Sequence, residues 1–346
     1  MSVYIDAVGQ VWPPFVLILG LLMIGHVAAK NGLFEVVGAR LASLPGGGVV
    51  LFLSMMALVA VVTAVLNLDT SVVFLTPILL QTARHRGIEE KAFLYGTIFM
   101  SNAASLLLLG SNLTNILVFA GKPLRGTQFT VAMLPAWLTS IVLTAVVVLV
   151  WCWNDLHVTH VGRSRVRPKL ESLVGLVGLS IATTFMLLLV KPSLPVLVVG
   201  VATEATVLLS KSIRIQNVLE VLNLPLLVGL FILALVVAVV AREWNYPRDL
   251  MASSGTWATA GIGALGSNII NNLPAAALFS SKLPSHPYAL LYGLDLGPNF
   301  TVIGAMSSLL WLRISRQNDA NPSVITFSAV GVVVTVMTMA AALTVT

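Results

Sequence analysis

Gly266-Ser267-Asn268-Ile269-Ile270-Asn271-Asn272-Leu273-Pro274 lies within an apolar segment, 250–283, whose single charged residue is Lys282. Three asparagines, a serine and a proline in nine residues do not suit a helix exposed to lipid all round. Backbone that departs from helix at membrane depth survives only where protein or a wet cavity satisfies its polar groups. The segment therefore reads as a helical hairpin with a polar tip inside the protein, broken from Ser267-Asn268 to Asn271-Asn272.

Three other apolar stretches are interrupted in the same way. They are 48–83, broken at Asn67-Leu68-Asp69-Thr70-Ser71; 93–120, broken around Gly110-Ser111-Asn112; and 286–312, broken at Asp295-Leu296-Gly297-Pro298-Asn299. Uninterrupted apolar stretches at 12–31, 129–152, 172–190, 194–210, 222–241 and 323–345 are long enough to cross a hydrocarbon core of about 30 Å. Composition agrees. Of 346 residues, 58% are hydrophobic and 9% charged, and mean hydropathy is +0.98. Soluble domains carry about a quarter charged residues. These values exclude a soluble enzyme, a nucleic-acid module and a disordered chain. The first stretch follows Asp6 with no Lys or Arg before it, so it reads as a retained span and not as a cleaved leader.

The order of elements repeats. Span, hairpin, broken helix and span run over 1–152 and again over 222–346, with a cytoplasmic linker and two connecting spans at 153–221. Asn67 then matches Asn268, and Asn102 matches Asp295. With an outside N-terminus and hairpins that leave on the side they enter, 13 of the 19 Lys and Arg fall in inner loops and 6 in outer ones. The inner set includes Lys30, Arg163, Arg165, Arg167, Lys169, Lys211, Arg214, Arg313 and Arg316, which obeys the positive-inside rule. The first set starts outside and the second inside, so the repeats are inverted. The fold class is an all-α polytopic membrane protein with two inverted repeats, each holding a re-entrant hairpin and a broken transmembrane helix. Matched breaks in two halves point to a secondary transporter's midplane site.

Within the apolar stretches the carboxylates are Asp69, Glu204 and Asp295. An intramembrane carboxylate is costly unless paired, protonated or wet, and so counts as functional by default. Asp69 and Asp295 stand at breaks and are the candidate proton- or ion-coupling pair; capping of half-helices is their structural alternative. Glu204 lies outside the repeats, where it pairs with a neighbour or faces a second copy. His26 could relay protons, but a packed role suits it better. The candidate substrate-binding set is Asn67, Thr70, Ser105, Ser111, Asn112, Asn268, Asn271, Asn272, Asn299 and Thr301. Half-helix N-termini beside them offer backbone N–H groups to an anion or a neutral oxo-acid. No Lys or Arg stands at the breaks.

Single Cys152 excludes an internal disulfide and a thiolate metal cluster, and no metal or cofactor is expected. Gly261-Ile262-Gly263-Ala264-Leu265-Gly266 matches a dinucleotide pattern without the strand-turn-helix setting that gives it meaning. No activated nucleophile is visible, so the chain reads as no enzyme.

The breaks resemble signature stretches of the bacterial arsenite permease family, in the ion transporter superfamily that also holds dicarboxylate and citrate carriers. The resemblance rests on Gly266 to Pro274, Asp295 to Gly304, Ala104 to Ile116 and Asn67 to Pro77, and runs from about residue 12 to the C-terminus. Against that family this chain is expected to lack leading spans. Asn102 and Asn299 stand where members tend to carry an acid and a lysine, which suggests an ion pair lost as a unit. Asp69 replaces the Ser-Asn-Thr tips of dicarboxylate carriers, in favour of proton over sodium coupling. The resemblance implies continuous helices holding two hairpins and two broken helices around a central site, and a homodimer. The function it implies is proton-coupled efflux of arsenite or antimonite from the inner membrane. The alternatives are a small organic anion carried with sodium or protons, or sodium/proton exchange.

Overall fold

The computed structural model describes residues 2–120, 122, 124–156, 173–210 and 215–346, and within them the secondary structure is helical throughout. The linker cations Arg163, Arg165, Arg167, Lys169, Lys211 and Arg214 lie outside the described residues.

Helix α1 spans Ser2–Lys30, followed by α2 (Leu33–Ala42). The first hairpin is α3 (Gly48–Val65) and α4 (Leu68–His85); the first broken helix is α5 (Lys91–Ala104) and α6 (Leu113–Val118); α7 is Gly126–Trp151. Connecting helices α8 (Val174–Leu188), α9 (Ser193–Leu209) and α10 (Ile215–Leu222) come next. The second set holds α11 (Leu224–Glu243), short α12 (Tyr246–Ser253), hairpin α13 (Thr256–Ile270) and α14 (Asn272–Phe279), broken helix α15 (Pro287–Leu296) and α16 (Met306–Gln317), and α17 (Val324–Val345). Among the described residues, five helical stretches are long and apolar enough to cross a membrane: Val3–Lys30, Gly48–Val65, Gly126–Trp151, Val218–Glu243 (the end of α10 with α11) and Val324–Val345. α8 and α9, at the predicted spans 172–190 and 194–210, are apolar but shorter.

Three boundaries differ from the sequence reading. α1 begins ten residues before the predicted 12–31 span and carries Pro13 and Pro14 inside it. The first hairpin turns at Leu66-Asn67, because the Asn67 side chain accepts from the Thr70 backbone N–H at 2.7 Å and caps α4. Asp69, Thr70 and Ser71 are therefore helical. In the second hairpin α13 runs through Ser267 and Asn268 to Ile270, and the chain turns at Asn271 alone. Asn271, with φ 74 and ψ 149, caps α14, so it is the structural counterpart of Asn67 in place of Asn268.

The broken helices are held open from outside. A helix end leaves carbonyls without intrahelical donors, and in a membrane these need partners from elsewhere. Trp137 of α7 donates from Nε1 to the Ala104 carbonyl at 3.1 Å. Thr335 of α17 donates to the Leu296 carbonyl at 2.9 Å. The same role thus falls to the same helix of each set, with different chemistry. Elsewhere small residues allow close approach: Gly200 of α9 lies against the Gly20 backbone of α1, where a Cβ would sit 2.6 Å from the Gly20 carbonyl oxygen.

α1 packs on α8, α9 and α11. α4 packs on α5 and α16, and α6 on α14, so each half-helix beyond a break lies against the hairpin of the other set. The two breaks and the two hairpin tips come together by that exchange.

Candidate functional site between hairpin tips and helix breaks

The starts of α4, α6, α14 and α16 converge on one cavity. Its lining is Leu68, Asp69, Asn112, Leu113, Asn271, Asn272, Leu273, Ala305, Met306 and Ser307, with Leu230 from α11 closing one side. Helix N-termini carry free N–H groups and partial positive charge. In this conformation the cavity volume is about 20 Å³, room for about one water molecule. Any larger solute requires the lining elements to part.

Asp69 is the carboxylate of this cavity; it is partly exposed and makes no hydrogen bond among the described residues. Asp295 is fully buried behind Asn112. Its Oδ1 accepts from Asn112 Nδ2 at 3.0 Å and from the Thr114 hydroxyl, while Oδ2 has no partner. The two acids are thus not equivalent. One faces the cavity, and the other is bonded to Asn112, which lines that cavity.

From Asp295 a polar network runs between the broken helices. Asn112 Nδ2 also donates to Ser105 Oγ at 3.2 Å, and Ser105 Oγ donates to the Asn102 carbonyl at 2.8 Å. Asn102 Nδ2 donates to Asn299 Oδ1 at 2.6 Å. The two positions that suggested a lost ion pair are in direct contact, as neutral amides that leave Asn102 Oδ1 and Asn299 Nδ2 unpaired.

Other residues of the candidate set hold the breaks in shape. Asn268 Nδ2 donates to the carbonyls of Ala264 and Gly297, both at 2.8 Å, and its Oδ1 accepts from the Thr301 hydroxyl at 2.7 Å. Ser111 donates within the 105–108 turn, and Asn115 donates to the carbonyls of Ser105 and Leu108. Thr70 is buried, its Cγ2 against Gly25, and its hydroxyl is unpaired. Of the candidate binding residues, Asn112, Asn271 and Asn272 line the cavity. Asn67, Thr70, Ser105, Ser111, Asn268, Asn299 and Thr301 support it from behind.

The sequence reading missed Ser307, which lines the cavity with its hydroxyl unpaired. The signal for it was positional: Ala305 starts α16 as Asn112 starts α6, so the next residues had to face the site. His26 and Glu204 lie apart from the cavity. His26 Nδ1 sits 3.1 Å from Glu204 Oε1, and both residues are buried, joining α1 to α9.

Paired hairpins and broken helices around a polar centre, in a membrane chain whose described residues form helices alone, define a secondary transporter and not an enzyme. Residues 3–285 match the CitMHS family, described as citrate transporters, and the chain belongs to that family. It is similar to an arsenical pump membrane protein of Escherichia coli, 26% identical over 89% of this chain and 80% of that one. An uncharacterized transporter of Mycobacterium tuberculosis is 27% identical over 98% of this chain and 86% of its own. Among solved structures, the YdaH transporter of Alcanivorax borkumensis covers 99% of this chain and 86% of that one, with a TM-score of 0.60 at 14% identity.

Proposed function

We propose that the protein exports arsenite or antimonite across the inner membrane in exchange for protons, with the N-terminus outside and the repeats 1–152 and 222–346 inverted. One observation carries the reading. The cavity presents amides, a hydroxyl and helix N-termini, with Asp69 as its charged group and no Lys or Arg in its lining. Neutral arsenous acid has three O–H groups, which such groups can hydrogen-bond without a net charge to neutralise. With one cysteine, buried Cys152, no three-thiolate site can form, so cargo is held weakly and released. Relatives described as arsenical pumps support the same reading.

Asp69 is the proton carrier in this scheme. Protonation removes the charge in the cavity, and cargo competes for the ionised form. Asp295, behind Asn112, sets the position of that amide and through it the start of α6.

The second reading is carriage of a small organic anion with protons or sodium. It is favoured by the family description and by the helix N-termini, which suit a carboxylate. A thermal-shift screen of the purified protein with arsenite, antimonite, citrate, succinate and sodium separates the two. A ligand present at 100 times its Kd adds about 2.7 kcal/mol to the folded state, a shift of several degrees or less for a chain of this size. Arsenite and antimonite are expected to raise the melting temperature. A rise with citrate or succinate and none with arsenite would reverse the order.

A further inference from the structure

One to two turns beyond the cavity, a second set of polar groups joins four helices at the end of the molecule where α1 begins. Gln10 of α1, 7% exposed, donates from Nε2 to the Ser280 carbonyl at 3.0 Å and to Ser280 Oγ at 3.1 Å, with the Leu117 carbonyl 3.4 Å away. Arg242 of α11 donates to Gln10 Oε1 at 2.8 Å and to the Asp6 and Ala238 carbonyls. Leu117 lies in the last turn of α6, and Ser280 caps the C-terminus of α14. Groups from α1 and α11 therefore hold the far ends of the two half-helices whose near ends line the cavity.

The other side has bonds of its own: Arg84 of α4 donates to the carbonyl of Asn318, which caps α16, at 2.7 Å, and Trp311 of α16 donates from Nε1 to the Leu94 carbonyl of α5 at 2.9 Å. α6 packs on α1, and α14 on α11, but α16, the counterpart of α6, packs mainly on α4 and α5. Its free face, Leu309, Arg313 and Arg316, borders an open recess of about 460 Å³, and Met306 and Ser307 of the same helix line the cavity. Neither guanidinium has a partner among the described residues. Side-chain bonds thus hold both ends in this conformation, at Gln10 on one side and at Arg84 on the other. Pro13 and Pro14 also remove the intrahelical donors for the carbonyls of Gly9 and Gln10, so α1 is easiest to bend beside the seam.

We propose that Gln10, braced by Arg242 and bonded to Ser280 and Leu117, is the gate on the α1-start side. Its hydrogen bonds keep α6 and α14 against α1 and α11, and breaking them opens the cavity to that side. Buried bonds of this kind suit a gate, because each is worth little net when made and is replaced by water when the seam opens. The inference rests on the transporter class and is independent of the cargo.

The test uses full-length protein with Cys152→Ser and a reporter at the cavity, Leu230→Cys, in membranes labelled from either side by a membrane-impermeant thiol reagent. The charge of the loops predicts that intact cells present the Gln10 side and inverted vesicles the Arg313 side. Gln10→Leu and Ser280→Ala should each raise the labelling rate from the Gln10 side by roughly tenfold, as one or two net hydrogen bonds leave the closed state. Labelling from the other side should stay the same or fall. An unchanged rate in a variant that inserts and melts like its parent overturns the gate. So does an equal rise from both sides, which means general loosening. Ser280 Oγ also donates to the Leu117 carbonyl at 3.3 Å, so if Gln10→Leu fails to insert, Gln10→Glu, which keeps the shape and replaces the amide donor, decides the matter by the same two-sided labelling. Because the readout is accessibility, a wrong cargo assignment leaves it intact.

Discussion

Asp69 and Asp295 carry the same carboxylate into different surroundings, and the difference sets what substitution does. Asp295 accepts from Asn112 and Thr114, both buried. Asp295→Leu leaves two buried donors unpaired, at about 1–3 kcal/mol each, and should lower the melting temperature by several degrees. Asp295→Asn keeps an acceptor for those donors and should melt near the parent. Asp69 has no protein donor to disappoint among the described residues, so Asp69→Asn should fold and melt normally. In proteoliposomes it should lose uptake driven by a pH gradient, while cargo still shifts its melting curve. Full gradient-driven flux in Asp69→Asn would leave this acid without a coupling role.

The breaks owe their shape to neighbouring helices, and two glycines show where the approach is closest. A Cβ on Gly331 of α17 would collide with the Asn299 carbonyl, the backbone of the second break. Gly331→Ala should therefore push the break from α17, loosen the Asn102–Asn299 contact, and reduce both melting temperature and transport. Gly229, inside α11, meets nothing within 4 Å. There Gly229→Ala removes only the conformational freedom of glycine in a helix and should stabilise by about 0.5–1 kcal/mol. Melting curves of the two variants side by side separate close approach from helix propensity. Opposite signs are expected.

At the scale of the molecule, α1 and α9 form part of a frame against which the hairpins and broken helices lie. Gly20 and Gly200 bring the two helices together, and His26–Glu204 fixes their register one to two turns further on. Both side chains are buried away from water. Removing one partner of such a pair costs on the order of 3–5 kcal/mol, while replacing both with apolar residues is often neutral. His26→Leu and Glu204→Leu should each melt well below the parent, and the double variant should recover most of the loss. A double variant that retains transport would assign the pair to the frame. One that folds and loses transport would give it a part in moving protons.

By itself the sequence determined that this is a helical membrane protein, which stretches form its long apolar helices to within several residues, and that the interruptions hold the polar residues. Those features follow from local composition: long apolar runs must leave water, and asparagine, glycine and proline interrupt helices wherever they stand. The N-cap at Asn67 was legible within a residue or two for the same reason. Tertiary structure alone decided the rest. Whether an asparagine faces the cavity, as Asn112 and Asn271 do, or staples a break, as Asn268 does, depends on which way a helix is turned by neighbours far along the chain. Ser307 entered the site because α16 packs on α4, more than 200 residues away. Gln10 became a buried link because α1, α6, α11 and α14 meet only in the folded protein. A hydrogen-bond partner is a property of position in space, and no window of sequence contains it.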